Sequence, residues 1–129
     1  MHYIVDTHAL IWYFDDDAKL GAAARQVLDD PAASLLIPVI VLVELIYAGR
    51  KKGASTNLQR HLMELRLARN ITVLPLEEAD LVHVDLSLNI HDAIIVACAL
   101  AYSARTGETV QVITKDDHIA ACGLVDCVW

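Results

Sequence analysis

Cysteine is sparse in this chain and poorly placed for a covalent framework. Cys98, Cys122 and Cys127 are an odd number without a C-x-x-C pair, which argues against a disulfide scaffold or a structural zinc site. They read as small core residues. No apolar run approaches the roughly 20 residues that span a bilayer; the longest, Leu35 to Ala48, contains Pro38 and Glu44 and reads as a strand entering a buried helix. Positive charge is short as well. Ten Lys and Arg face seventeen Asp and Glu, a formal charge of −7, which opposes adhesion to nucleic acid over the whole surface and requires any such contact to be local. No basic region precedes the first apolar residues, so the start lacks the layout of a secretory signal, and a cytoplasmic protein is expected. Repeats, low-complexity segments and linkers are missing too.

Hydrophobic residues, by contrast, make up 56% of 129 positions, enough to build a large core in one domain covering residues 1–129. Short apolar runs at Tyr3–Val5, Ser34–Ile37, Ile71–Leu74 and Thr109–Thr114 read as strands, with Leu124–Trp129 as a possible edge strand. Helical spacing is expected over Ala9–Phe14, Ala18–Leu28, a segment with Pro38 in its first turn and ending near Ala48, a helix capped by Ser55-Thr56-Asn57 with Leu58, Leu62 and Leu65 as its stripe, Glu77–Leu86, Asp92–Ala104 ending at Gly107, and a short turn over Asp117–Cys122. Strands that are continuous apolar runs, alternating with helices, predict a three-layer α/β/α fold around a mainly parallel sheet of four or five strands.

Four acids lie beside these core-forming segments: Asp6 after the first strand, Glu44 within VIVLVELIYA, Asp92 opening DAIIVACALAY, and Asp116 after VQVIT. Isolated buried carboxylates are costly, so the set points to a shared ligand. Oxygen-only sites suit Mg²⁺ or Mn²⁺ and serve phosphodiester hydrolysis. Each acid has a plainer explanation: Asp6 and Asp116 as turn acids, Glu44 paired with Arg50 or Lys51, Asp92 as a partner of its helix dipole, with Asp117 an alternative cap for the short helix. Four close acids without a cation should leave at least one with a raised pKa. Arg50, Lys51, Lys52, Arg60, Arg66 and Arg69 are six of the ten basic residues, opposed in that interval only by Glu64. They form either a solvated helix face or a surface that guides an RNA backbone. His8 and His91 flank two of the acids, and Trp12, Tyr13 and Phe14 are expected to pack rather than to stack on RNA.

The segments DTHALIWYF, VLVELIYAG, HDAIIVACAL and VITKDD together resemble the PIN domain, especially bacterial VapC-type toxins, over essentially the whole chain. That resemblance implies a metal-dependent endoribonuclease with Mg²⁺ or Mn²⁺ held by Asp6, Glu44, Asp92 and Asp116, of which Asp6 and Asp92 are the core ligands. Thr7 and Thr114 match supporting hydroxyl positions. It further implies RNA as substrate, a cognate antitoxin protein and a homodimer. The Asp116-Asp117 doublet departs from the single acid usual at the fourth position. Two alternatives stand beside this one: a catalytically silent interaction module of the same fold, and a receiver-like phosphoacceptor domain, for which Lys115 is suggestive but Pro75 stands where an acceptor acid is expected.

Overall fold

A computed structural model describes the backbone of residues 1–51 and 55–129 and the side chains of all of these except 55–58. The expectations for Lys52, for the Ser55-Thr56-Asn57 cap and for Leu58 lie outside the described residues. Among the described residues five strands, β1 (His2–Val5), β2 (Ser34–Pro38), β3 (Ile71–Leu74), β4 (Val110–Ile113) and β5 (Asp126–Val128), form one sheet in the order β3-β2-β1-β4-β5. Every pairing is parallel. The inner strands are apolar on both faces, with Ile4, Val5, Leu36, Ile37, Val112 and Ile113 all buried, as a sheet covered by helices requires.

The chain moves from β1 outward to β2 and β3, then returns past β1 to β4 and β5. With right-handed crossovers, this reversal puts the connecting helices on opposite faces. Accordingly α1 (Thr7–Phe14), α2 (Ala22–Asp29), α3 (Val39–Lys51) and α4 (Ser55–Leu67) pack among themselves, while α5 (Ile90–Thr106) packs against a 3-10 helix (Glu78–His83), β4 and α6 (Asp117–Ala121). Among the described residues no helix is long and apolar enough to cross a membrane. The order also excludes the receiver-like alternative, whose sheet runs 2-1-3-4-5.

Several local expectations are corrected. Pro38 is the last residue of β2 and not a helical residue; its fixed φ suits the switch into α3. That helix continues through Gly49 to Lys51, with Arg50 and Lys51 in its last turn where cations complement the dipole. Helix α2 starts only at Ala22, because residues 17–20 form a turn in which the Asp17 carboxylate accepts from the Lys19 amide at 2.9 Å. The helix expected over Glu77–Leu86 shrinks to the 3-10 segment, where Asp80 is drawn inward: its carboxylate accepts from the Glu77 amide at 3.0 Å and from Arg105 Nη1 at 2.6 Å. Gly107 ends α5 in the left-handed conformation, φ 73°, as glycine allows.

Gly21 is required for a different reason. A Cβ there would overlap the Trp129 carbonyl carbon and approach its indole carbons to 2.7 and 2.9 Å. Gly21→Ala is therefore expected to lower stability by about 1–3 kcal/mol through overpacking, measured by urea denaturation; an unchanged midpoint would show that the carboxyl terminus moves aside freely.

Candidate functional site

The sheet order places a topological switch point between β1 and β4, the position outside the strands' carboxyl ends where open α/β sheets bind ligands. Asp6 follows β1 there. Its amide donates to the Ile113 carbonyl at 3.1 Å, and its Oδ1 accepts from the Thr7 amide at 2.6 Å. Its Oδ2 accepts from the Thr114 hydroxyl at 2.6 Å, across the switch. The same hydroxyl oxygen accepts from the Asp116 amide at 3.0 Å. Thr114 thus ties the first acid to the fourth, although 108 residues separate it from Asp6.

Asp116 is the N-cap of α6, its Oδ1 accepting from the His118 and Ile119 amides at 2.8 and 3.1 Å. The cap is Asp116 and not Asp117, which is exposed in the first turn of the helix. Asp92 lies in the first turn of α5 and is buried, as are Ile95, Val96 and Ala99 on its side of the helix. The Asn89 side chain caps that turn, accepting from the Asp92 amide at 3.0 Å and donating back to its Oδ2 at 2.5 Å. Asn89 was not singled out from the sequence; an Asn three residues before an acid at a helix start is the signal that marks it.

The Asp92 carboxyl is held above its ordinary pKa, first by burial, then by the negative charge of Asp116 and of Asp6, with Asn89 and His118 opposing. Asp92 therefore feels the charge of both Asp116 and Asp6. Glu44 approaches from α3, half-buried, with Oε1 3.3 Å from His91 Nδ1. The alignment makes no hydrogen bond, since that oxygen is buried without a partner, as is the Thr7 hydroxyl. The expected pairing of Glu44 with Arg50 or Lys51 is not among the described ion pairs. Those of Lys and Arg run elsewhere: Lys19 to Asp17, Arg25 to Asp16, Arg60 to Glu64 and Arg105 to Asp80.

Among the described residues, two clefts on this rim share His8. One, of about 470 Å³, is lined by Thr7, Ile40, Glu44, Tyr47, Lys51 and His91 among others. The second, of about 390 Å³, is lined by Asp6, Trp12, Lys115, Asp116, Asp117 and His118. The basic interval is dispersed. Lys51 joins the first cleft, whereas Arg66 lies in the last turn of α4 and Arg69 just before β3, at the opposite, amino-terminal rim of the sheet.

The residues fit a hard divalent cation by their donor chemistry: carboxylate and hydroxyl oxygens, two of them orphaned, with no lysine or arginine neutralising the acids among the described residues. In the present arrangement no three His, Cys, Asp or Glu among the described residues are grouped closely enough for a ready-made metal cage. Because the Asp92 pKa is raised, the proton and a cation compete for it. Mn²⁺ affinity is expected to fall as pH drops through that raised value, with proton release on binding. Calorimetry in buffers of different ionisation enthalpy checks this; pH-independent affinity without proton release would contradict it.

A model of the PIN domain matches residues 3–123. Comparison with curated proteins finds no match. Among solved structures, a chain of the VapBC2 complex from Rickettsia felis bound to a DNA fragment from its promoter superposes with TM-score 0.74 at 16% identity, covering 99% of this chain and 98% of that one. A toxin–antitoxin complex from Klebsiella pneumoniae gives 0.72 at 21% identity, with 98% and 96% covered, and VapBC-1 from nontypeable Haemophilus influenzae gives 0.67 at 19%, with 99% and 97% covered. At such identities the likeness is one of fold. The family match runs from β1 past α6, taking in Asp6, Glu44, Asp92 and Asp116 alike, and the chain belongs to the PIN domain family.

Proposed function

We propose that this chain is a divalent-metal-dependent endoribonuclease and the toxin of a toxin–antitoxin pair. What supports the reading is that Asp6 and Asp92 are both buried and that the charges of Asp116 and Asp6 reach Asp92, with none of the three paired with Lys or Arg among the described residues. Membership of the PIN family and the VapBC complexes among its structural neighbours support it.

Asp6 and Asp92 would hold the cation, with Glu44 and Asp116 completing the set. Bound Mg²⁺ or Mn²⁺ supplies a water of lowered pKa and neutralises charge on the leaving oxygen of the phosphodiester. The chain's own part is to fix the carboxylates. Thr114 and the Thr7 amide hold Asp6, Asn89 turns Asp92, and the α6 amides occupy Asp116 Oδ1 while its second oxygen remains available. Lys51 lines the first cleft and, with Arg50 beside it in the last turn of α3, would guide the RNA backbone; Arg60, Arg66 and Arg69 would form a secondary surface. The partner of this reading is an antitoxin that delivers a basic side chain to the acids, and the toxin assembles as a homodimer.

Asp6→Asn is expected to reduce Mn²⁺-dependent RNA cleavage by more than about 100-fold, since loss of mere supporting contacts around a metal costs roughly 10–100-fold. Gel assays of a folded variant check this. Full activity in Asp6→Asn would reject the assignment. A wild-type chain that cleaves no RNA with Mn²⁺ would instead favour the silent module.

A further inference from the structure

Helix α1 carries three consecutive aromatic residues, of which Tyr13 and Phe14 lie together with ring centroids 6.2 Å apart. Tyr13 donates its hydroxyl to Asp29 at 2.9 Å, and Phe14 stacks on His61 with ring centroids 4.1 Å apart. Trp12 lies two residues, and so about 200° of helical turn, from Phe14. It lines the cleft that contains Asp6 and Asp116. His8, one turn earlier, packs against it at 5.5 Å, and Trp129 supports it edge-on at 5.6 Å. Two ammonium groups lie over its ring, Lys19 Nζ 5.8 Å and Lys115 Nζ 5.9 Å from the centroid, and the ring is partly buried against the core, so a stacking base displaces the lysine from the face it takes. Lys19 is shared with Asp17. Lys115 is exposed and has no described ion pair, although it stands beside Asp116 and Asp117.

Resting on the nuclease reading above, we infer that Trp12 and Lys115 form a nucleotide subsite: the indole stacks one unpaired base of the RNA strand, and Lys115 meets its phosphate, next to the carboxylates. The cleft offers an aromatic plane, an exposed cation and a volume of about 390 Å³ in the same wall as Asp6. Base stacking needs a π-face and no fixed hydrogen-bond pattern, and cations alongside it bind the backbone. It also needs an unstacked base, so the subsite selects single-stranded or looped RNA over duplex. Because it sits on the Asp6–Asp116 side and Glu44 on the other, the strand is read on one flank of the scissile phosphate.

The test is equilibrium binding of short single-stranded RNA, intact or with an abasic nucleotide walked along it, to an Asp6→Asn/Asp92→Asn double variant in EDTA, with and without Trp12→Ala, Trp12→Phe or Lys115→Ala. Stacking of one base is worth roughly 5- to 150-fold in affinity. Trp12→Ala should weaken binding about 10-fold, Trp12→Phe much less, and an abasic nucleotide at one position should erase the difference. Lys115→Ala should reduce the salt dependence by about one phosphate contact. Quenching of indole emission by intact but not abasic RNA provides a readout in the chain that keeps Trp12. No binding, equal losses on intact and abasic RNA, or no quenching would overturn the subsite. Because no cleavage is involved, the subsite stands or falls apart from the nuclease reading: Trp12-dependent binding in a chain inactive with Mn²⁺ would reject only the latter.

Discussion

Asp92→Asn is expected to abolish RNA cleavage, by more than about 100-fold, while the metal-free protein melts at a higher temperature than the unmodified chain. The two effects have one origin. Asp92 is buried against Asp116 and Asp6, and its raised pKa means that ionising it opposes the fold. The sign follows from linkage: a carboxyl whose folded pKa lies above its unfolded value, here 3.8, makes the native state bind more protons, so stability falls as pH rises through the folded value. Asparagine removes that penalty and can still accept from its own turn through the Asn89 contact. The gain in melting temperature should shrink at acid pH, where the native carboxyl is already neutral, and should vanish when saturating Mn²⁺ stabilises only the unmodified chain. Thermal melts across pH with and without Mn²⁺, beside a cleavage assay, check both parts. A variant that loses activity but also melts lower at neutral pH would mean that Asp92 is a structural acid.

Arg105→Ala is expected to do the reverse, destabilising the fold while sparing the chemistry. Asp80 is almost wholly buried, its side chain 3% exposed, and Arg105 Nη1 reaches it at 2.6 Å. Truncating the arginine strands a buried carboxylate with the Glu77 amide as its remaining described donor. Breaking a buried pair in this way costs about 3 kcal/mol, or a drop of about 10 °C in melting temperature for a chain of this size. Arg105 lies thirteen residues along α5 from Asp92, roughly 20 Å at 1.5 Å per residue, so cleavage per folded molecule at low temperature should be unchanged. Denaturant titration and a cleavage assay on the same sample check it. A midpoint within error of the unmodified chain would show that Asp80 is satisfied without the arginine.

Asp80 marks a limit of reading acids from sequence. It is as buried as any catalytic candidate, yet nothing around Glu77-Glu78-Ala79-Asp80 distinguishes it from a solvated helix start. Its partner lies 25 residues on, and only the packing of the 3-10 helix against α5 brings them together. Asp6 and Asp116 were legible because each follows a short apolar run, and in a parallel sheet all such runs end on one rim. Glu44 was legible by its apolar helical neighbours, but its contact with His91 was not, since α3 and α5 meet only through the crossing of two layers. The spread of the basic interval in the fold has a similar reason. Along the sequence Arg50 to Arg69 is one cluster, but α4 returns from the rim toward the start of β3 and carries Arg66 and Arg69 away from the acids. Pro38 and Gly49 displaced helix boundaries by a few residues, as expected where tertiary packing outweighs local preference.

Diffraction from crystals soaked in Mn²⁺, recorded at the manganese edge, tests the central claim most directly. The predicted result is an anomalous peak about 2.1 Å from carboxylate oxygens of both Asp6 and Asp92, with Glu44 or Asp116 touching the ion directly or through water. A peak elsewhere, or none at saturating Mn²⁺ while the carboxylates remain held by Thr114 and Asn89 alone, would contradict it.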